Sequence, residues 1–437
     1  MVAEPITLSR RNFYLGLVNG AVTMLGGALL DPGTVVTAFV VQLMGGNVIW
    51  VGLIISLFSF SAQIPITLLA NRLETVRHRM PYYWLSAVVR AVSWLALGLV
   101  LTFGQGLSHL TLFVVVCGSF LAWGLGAGVG AIPFWSIVSD SIPPNWRGRY
   151  FGIRQFTGGL LCVGAGIYVR HMLGPASGLP FPRNYGTLAL WATVATALGV
   201  AAFCANEDRP AVTQRRLVSL GLQMRRGPRA WRRDTNYRRL LRAIVGYGLA
   251  MALVGPFIVP YALQHLHLGV EAVGIFLIAR QVAFSLSSFL WSYISDARGN
   301  RLLMIITSSL ALLVPVAMLA APLVPIGSTV AAGGLVVSAP LAYLTAVFVL
   351  LGLATGGLEL GYNNYLLEVA PPRKRSTYLG FLSTLNLALA WAPLAGSLLI
   401  GQADRYALGF ALSVVAGAVC LWNVVRLGEV RGENGEG

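Results

Sequence analysis

The sequence predicts an all-α polytopic membrane protein with twelve transmembrane helices arranged as two six-helix halves. Three observations lead to this fold class: few charged residues, apolar segments long enough to cross a bilayer, and an internal repeat. Of the 437 residues, 56% are hydrophobic and only 11% are charged, whereas a soluble chain carries about 25% charged residues. The composition excludes a soluble enzyme, a secreted disulfide-linked domain and a disordered chain.

Apolar segments supply the helices. An α-helix needs about 20 apolar residues to cross the hydrocarbon core, and spans 1, 4 and 10 exceed that length, so we expect them to tilt or kink. A polar segment after the sixth span predicts an N-terminal half at 1–205, a cytoplasmic basic linker at 206–240 and a C-terminal half at 241–437. The predicted spans are 12–42, 47–70, 81–104, 109–138, 150–173, 186–205, 241–266, 270–294, 302–325, 337–367, 378–401 and 405–427.

The positive charge lies mainly between the spans. Eleven arginines and three acidic residues occur from Glu207 to Arg242, within a total net charge of +16. Basic loops mark the cytoplasmic side of a membrane protein, so the pattern predicts a multi-pass protein of the plasma (inner) membrane with both termini cytoplasmic. Anionic lipid explains this charge better than nucleic acid does. The linker is either a basic helix on the inner leaflet or a plain connection.

An internal repeat relates the two halves. After span 4, Asp140–Gly152 reads DSIPPNWRGRYFG, and 228 residues later Glu368–Gly380 reads EVAPPRKRSTYLG. An acid, two prolines, an arginine, a tyrosine and a glycine recur in register. A weaker pair, LANR at 69–72 and ISDARGNR at 294–301, follows spans 2 and 8. Because both pairs occupy equivalent loops, the repeat predicts two halves in parallel orientation.

These motifs resemble the major facilitator superfamily of secondary transporters. The family's loop pattern, G-x-L-a-D-R-x-G-R-r, is matched after span 8 by Asp296, Arg298, Gly299 and Arg301, while after span 2 Asn71 replaces the aspartate and Arg72 is retained. The stretch Ala28–Val35 resembles uncharacterised bacterial permeases of this superfamily, with no substrate assigned. The resemblance implies alternating access and a central cavity lined by spans 1, 4, 7 and 10. Span 4 lacks the arginine of proton-coupled drug exporters, which argues against their standard mechanism.

Charged residues within spans are the candidate functional residues, since a charge at the bilayer centre costs about 2.5–3.5 kcal/mol or more. Arg90 in span 3 is interpreted as structural. Thr355, Glu359, Tyr362 and Asn363 share one helix face, which indicates either a wet cavity wall or a helix–helix hydrogen-bond patch. The candidate coupling and substrate residues are Asp31, Glu359, Arg280, Gln281, Tyr362 and Asn363.

Three of these residues suggest distinct roles. Glu359 is the stronger candidate proton carrier, because burial disfavours the charged form of a carboxyl group and because Tyr362 and Asn363 would tie its protonation to a bound substrate. Asp31 precedes Pro32 and either serves the site or satisfies backbone freed by a helix break. Arg280 suits an anionic or carboxylated substrate; alternatively, it neutralises Asp31.

The repeated loops suggest a cytoplasmic gate. We hypothesise that their charged side chains form ionic contacts that hold an outward-open state; the alternative is that the arginines only enforce topology. The candidate gate residues are Arg72, Asp140, Arg147, Asp296, Arg298, Arg301, Glu368 and Arg375.

The sequence thus favours a secondary active transporter of a small solute, coupled to a proton or cation gradient. The alternative is a membrane binding or assembly protein of the same fold without coupled transport. An enzyme is not expected, because no convergent catalytic set is found, and neither a cofactor nor a metal site is indicated. The expected partners are a small-molecule substrate, H+ and the lipid bilayer, and the expected state is a monomer.

Overall fold

The computed structural model describes residues 4–73, 76, 78–206, 220–332, 335–371, 375–401 and 405–429. Within these residues, twelve helical segments are long and apolar enough to cross a membrane, as the sequence predicts. Spans 1, 7 and 11 are each made of two α-helices. In order, the spans contain Glu4–Leu29 with Thr37–Leu43, Val48–Leu73, Met80–Phe103, His109–Ser141, Pro144–Leu173, Arg183–Cys204, Thr235–Val254 with Ile258–Gln264, Ala272–Arg298, Asn300–Ala320, Ala339–Val369, Arg375–Leu389 with Ala392–Gly401, and Tyr406–Val425.

The same helix pairs pack in each half. Spans 1 and 6, 3 and 6, 2 and 4, and 3 and 4 are neighbours, and so are spans 7 and 12, 9 and 12, 8 and 10, and 9 and 10. The halves meet where span 5 packs against span 8 and span 2 against span 11. This recurrence at a distance of six spans confirms the two-half architecture. The exact boundaries at residues 205 and 240 stay a prediction.

Two spans break at proline in equivalent positions. Span 1 ends its first helix at Leu29 and continues through a π-helical turn at Pro32–Val36. Span 7 is interrupted by a 3₁₀ turn at Gly255–Phe257, and the two turns contact each other. Proline lacks the N–H that an α-helix needs and clashes with the preceding turn, which accounts for both breaks. The kink in span 1 was predicted from its length, whereas the one in span 7 was not.

The segment between the halves contains a helix. Leu220–Arg233 is α-helical, and its last turns pack on span 11, where a Cβ built at Gly227 would meet the ring of Phe381. Asp234 then caps span 7 by accepting a hydrogen bond from the Tyr237 N–H at 2.9 Å, which is why span 7 begins at Thr235 rather than at the predicted 241. The described part of the linker is therefore mostly helical, and its position on the inner leaflet stays a prediction.

The connection between spans 9 and 10 contains a feature that the sequence did not suggest. Strands β1, Thr329–Ala332, and β2, Leu335–Ser338, pair antiparallel as a hairpin. The face of the molecule that carries the linker helix is called the linker face below, and the face that carries this hairpin is called the far face.

The buried core is continuous at only one of the two faces. One cluster joins both halves toward the far face, with Val35, Phe39 and Val51 packed together with Val259 and Phe276. Toward the linker face the buried side chains form two separate clusters, one within the C-terminal half and one within the N-terminal half. The halves therefore pack together at the far face and diverge toward the linker face.

Candidate functional site

A polar cavity of about 450 Å³ lies between the two halves. Met24 of span 1 and Gln155 of span 5 contribute from the N-terminal half, and spans 7, 8 and 10 contribute from the other. Three of the residues predicted from sequence line it together, namely Arg280, Gln281 and Glu359. The remaining lining residues are Tyr247, Met251, Gly255, Phe284, Leu351 and Thr355.

Arg280 forms an ion pair with Asp31 across the interface between the halves. Its Nη2 donates to Asp31 Oδ1 at 2.6 Å, and the two side chains are 25% and 13% exposed, respectively. The helix break before Pro32 leaves Asp31 outside both helices of span 1, and its side chain does not cap the π-helical turn. Its second oxygen instead accepts a hydrogen bond from Thr34 Oγ1 at 2.8 Å. Of the two readings of Arg280, the structure agrees with the one in which it neutralises Asp31.

Glu359 lies on the cavity side of span 10 and is exposed to the cavity. Thr355, one turn earlier, shares this lining, but its hydroxyl donates to its own helix, to Leu351 O at 2.9 Å. Within the part of the chain that the structure describes, Glu359 has neither a hydrogen-bond nor an ion-pair partner. A carboxylate that faces a cavity without a basic partner can take up a proton or bind a cation.

The other polar residues of span 10 lie away from the cavity lining. The Tyr362 hydroxyl is 3.2 Å from Cys420 Sγ on span 12, and Asn363 is exposed outside that lining. Tyr362 and Asn363 follow Glu359 by three and four residues, so the three side chains share one face of the helix. In this structure, part of that face lines the cavity and part packs against span 12. The proposed link between these residues and protonation of Glu359 is therefore not made through direct contact in this structure.

In the N-terminal half, the candidate gate residues contact groups of their own half. Asp140 accepts a hydrogen bond from Arg79 Nη1 at 2.5 Å, an arginine that was not among the predicted gate residues. Arg147 donates to the carbonyl oxygens of Ser139 at 2.6 Å and Ile142 at 3.1 Å, and so satisfies the end of span 4. The side chain of Arg72 lies outside the described residues.

The gate candidates of the C-terminal half form a similar local cluster. Glu368 accepts a hydrogen bond from Asn300 Nδ2 at 2.7 Å. Arg301 donates to Val425 O at 2.9 Å and lies 3.9 Å from Glu429 Oε2. Asp296 and Arg298 are exposed at the end of span 8, and the side chain of Arg375 lies outside the described residues.

Polar contacts between the halves occur toward the far face. Gln264 Nε2 donates to Gly46 O at 2.6 Å, and Tyr406 holds the same amide by donating to Gln264 Oε1 at 2.8 Å. Gly46 has a φ of +87°, and a Cβ there would lie 2.6 Å from Gln264 Nε2, so a side chain at this position would disrupt the contact. Nearby, the Leu394 N–H donates to Ser56 Oγ at 2.9 Å.

Two arginines of the N-terminal half lie away from the cavity lining, Arg90 buried and Arg154 half-buried. Arg90 is 8% exposed, donates to Ser86 O at 3.3 Å, and belongs to the N-terminal half, in line with a structural role. Arg154, which sequence reasoning missed, donates to Asn19 Oδ1 at 3.3 Å and lies 4.7 Å from the ring centre of Phe134. It falls within the predicted span 5, so the rule used for charged residues in spans would have identified it.

Solved structures of transporters share this fold. A bacterial homologue of the iron transporter ferroportin in its inward-facing state is 14% identical, with a TM-score of 0.69 over 95% of this chain and 98% of that one. The outward-facing state of such a homologue gives 0.64 at 15% identity, over 95% and 99% of the two chains. A D-xylose–proton symporter gives 0.65 at 14% identity, over 97% and 98%.

Comparison with sequence models of protein families matches one half of the chain. Residues 240–435 match the sequence model of the Major Facilitator Superfamily, and the structural likeness extends the same architecture over both halves. The matched segment corresponds to the C-terminal half of the chain, and the match agrees with the resemblance that the loop motifs indicate. No curated protein sequence matches this chain. The match leaves the substrate unassigned.

Proposed function

We propose that the protein is a secondary active transporter that moves a small solute across the plasma membrane by alternating access, driven by a proton or other cation gradient. The observation that carries this proposal is the cavity between the halves, in which the Glu359 carboxylate faces open space without a described partner. A binding site at the interface of two repeats, accessible from one side at a time, is what alternating access requires. One chain contains the whole cavity, so a monomer suffices.

The linker face is proposed to be cytoplasmic, because it carries most of the arginines and basic loops are retained on that side. With that orientation, the present arrangement is inward-facing: the cores are fused at the far face and separate at the linker face. The greater likeness to the inward-facing state of the ferroportin homologue supports the same assignment.

Conversion to the outward-facing state requires the far-face contacts to separate. The Asp31–Arg280 ion pair and the Gln264–Gly46 hydrogen bond both join the halves, so each must break or rearrange. We propose that the candidate gate residues then exchange their present local partners for ionic contacts across the linker face. The repeat that relates the loops of Asp140, Arg147, Glu368 and Arg375 supports this proposal.

Glu359 is proposed as the coupling residue. In liposomes with an imposed proton gradient, the wild-type protein should accumulate a solute first identified by its thermal stabilisation of the purified protein. Glu359→Gln keeps the shape of the side chain but cannot ionise, and it should abolish gradient-driven accumulation. Glu271→Gln, which changes a carboxylate at the start of span 8 and outside the cavity lining, is the matched control and should transport normally.

The result also separates transport from the alternative function. A ligand that binds without flux under any gradient would favour a membrane binding or assembly protein of the same fold. Full gradient-driven uptake by Glu359→Gln would exclude Glu359 as the coupling site.

A further inference from the structure

We infer that the cavity binds a small organic cation, and that this cation and the coupling proton compete for the Glu359 carboxylate. The inference rests on the proposed transport function for its consequences, but the binding claim stands on the geometry of the cavity. It reverses the substrate charge that Arg280 by itself suggests.

The charge balance of the cavity favours a cation over an anion. Arg280 is the basic residue of the lining, and its guanidinium already donates to Asp31 Oδ1 at 2.6 Å. A substrate anion would have to displace a carboxylate that is held in place by Thr34 as well. The ion pair is neutral as a unit, so the ionised Glu359 gives the cavity a net charge of −1.

The other nearby arginine carries its charge outside the cavity lining. The guanidinium of Arg154 donates to Asn19 and lies over the ring of Phe134, and Arg154 is not part of the cavity lining. An ionised Glu359 without a basic partner is costly in a low-dielectric site. Binding a cation relieves that cost, and so does binding a proton.

The rest of the lining suits an organic cation. Tyr247 and Phe284 contribute aromatic rings to the lining, and aromatic rings attract ammonium groups through their quadrupole, while Met24, Met251 and Leu351 provide apolar contact. Gln155 and Gln281 supply amide groups that can accept hydrogen bonds from an N–H. A bound metal ion is less well matched, because no group of three His, Cys, Asp or Glu side chains comes together within the described residues.

Sharing one carboxylate has a mechanistic consequence. A proton and a substrate cation cannot both occupy the Glu359 carboxylate, so arrival of one releases the other. In a transporter, such competition links the two fluxes in opposite directions: protons that enter on one side expel the cation from the site. The proposed coupling is therefore exchange rather than co-transport.

The test measures binding to the purified full-length protein by isothermal titration. The probe is phenyltrimethylammonium, with its uncharged isostere tert-butylbenzene and the anion benzenesulfonate as matched comparisons, together with a panel of small aryl ammonium ions. We expect saturable binding of the cations, weaker binding of the isostere, and none of the anion. Glu359→Gln should weaken cation binding at least about tenfold, and Glu271→Gln, outside the cavity lining, should leave it unchanged.

Three outcomes would overturn the inference: no binding of any cation in the panel, preferential binding of benzenesulfonate, or undiminished cation binding by Glu359→Gln. If Glu359→Gln fails to fold, the comparison of the cation with its isostere on the wild-type protein decides alone. The failures of the two proposals are distinguishable. Cation binding without flux contradicts transport only, whereas flux of a neutral or anionic solute without cation binding contradicts the cation site only.

Discussion

Asp31 and Arg280 are 249 residues apart in sequence and form one ion pair between the halves. Removing one partner of a buried pair leaves an uncompensated charge, which costs about 3–5 kcal/mol when the pair is fully buried. Since Arg280 retains 25% exposure, the cost here should be smaller, on the order of 2 kcal/mol. The double replacement leaves no charge behind, so it should be less harmful than the sum of its parts.

We therefore predict that Asp31→Asn and Arg280→Gln each lower the melting temperature of the purified protein, and that the double variant recovers part of the loss. The double-mutant cycle gives the coupling energy directly. Thr34→Val, which removes only the hydroxyl that donates to Asp31 Oδ2, is the control and should have a smaller effect. Strictly additive losses would mean that the two side chains do not interact in the folded protein.

The breaks in spans 1 and 7 show how short elements build the far-face closure. Each span is the first of its half, and each changes direction at a proline, so that Thr37–Leu43 and Ile258–Gln264 approach each other. The second of these short helices ends at Gln264, whose amide donates to Gly46 O and accepts from Tyr406. A single side chain at the end of a broken span thus adds a polar contact between the halves at the far face.

Gln264→Ala removes this contact and should favour the state in which the far face is open. A hydrogen bond contributes about 0.5–1.5 kcal/mol net, so the population ratio should change roughly fivefold. Spin labels at Leu107→Cys and Ile326→Cys, in loops of the two halves at the far face, report the distance between them. A larger fraction of long distances is expected.

The gate proposal makes the opposite prediction for Arg147→Ala, which should increase the fraction of short distances across the far face by removing contacts that hold the other state. If both variants shift the distances in the same direction, the reciprocal relation between the two gates is wrong. Identical distributions in wild-type protein and Gln264→Ala would mean that the hydrogen bond does not contribute to closure.

The whole molecule consists of two similar bundles that share a core at one face only. Toward the linker face, Phe13 and Tyr150 pack within the N-terminal half, while Tyr237 and Tyr365 pack within the other. Each bundle therefore has buried contacts of its own that do not depend on its partner. This arrangement is what the proposed rotation of the two halves around the cavity would require.

Membrane orientation is a property of the whole chain, and it can be tested directly. If the linker face is cytoplasmic, an impermeant maleimide applied to intact cells should modify Ile326→Cys at the far face but not Arg229→Cys in the linker helix. Both should react after lysis, which controls for accessibility. Labelling of Arg229→Cys from outside would reverse the orientation and remove the basis for assigning an inward-facing state.

The sequence by itself determined the features that depend on the hydropathy and identity of residues close together in the chain. Twelve spans, the division into halves and the kink in span 1 follow from apolar segment length, a repeat and one proline, and the structure agrees with each of them. The predicted span ends were less accurate where a capping residue sets the start of the helix. Asp234 caps span 7, which begins at Thr235, six residues before the predicted position. The charged residues of the cavity were also found, because Asp31, Arg280 and Glu359 are conspicuous within apolar spans.

Only the tertiary structure decided which partner each polar side chain has. The sequence left open whether Arg280 binds a substrate or Asp31, it grouped Tyr362 with Glu359, and it overlooked Arg79 as the partner of Asp140. Hydropathy is averaged over neighbouring residues, so it can be read from the sequence alone. Ion pairs and hydrogen bonds act over about 3 Å between groups that the chain separates by tens to hundreds of residues. The charge that the cavity offers to a substrate is therefore set by packing, not by composition.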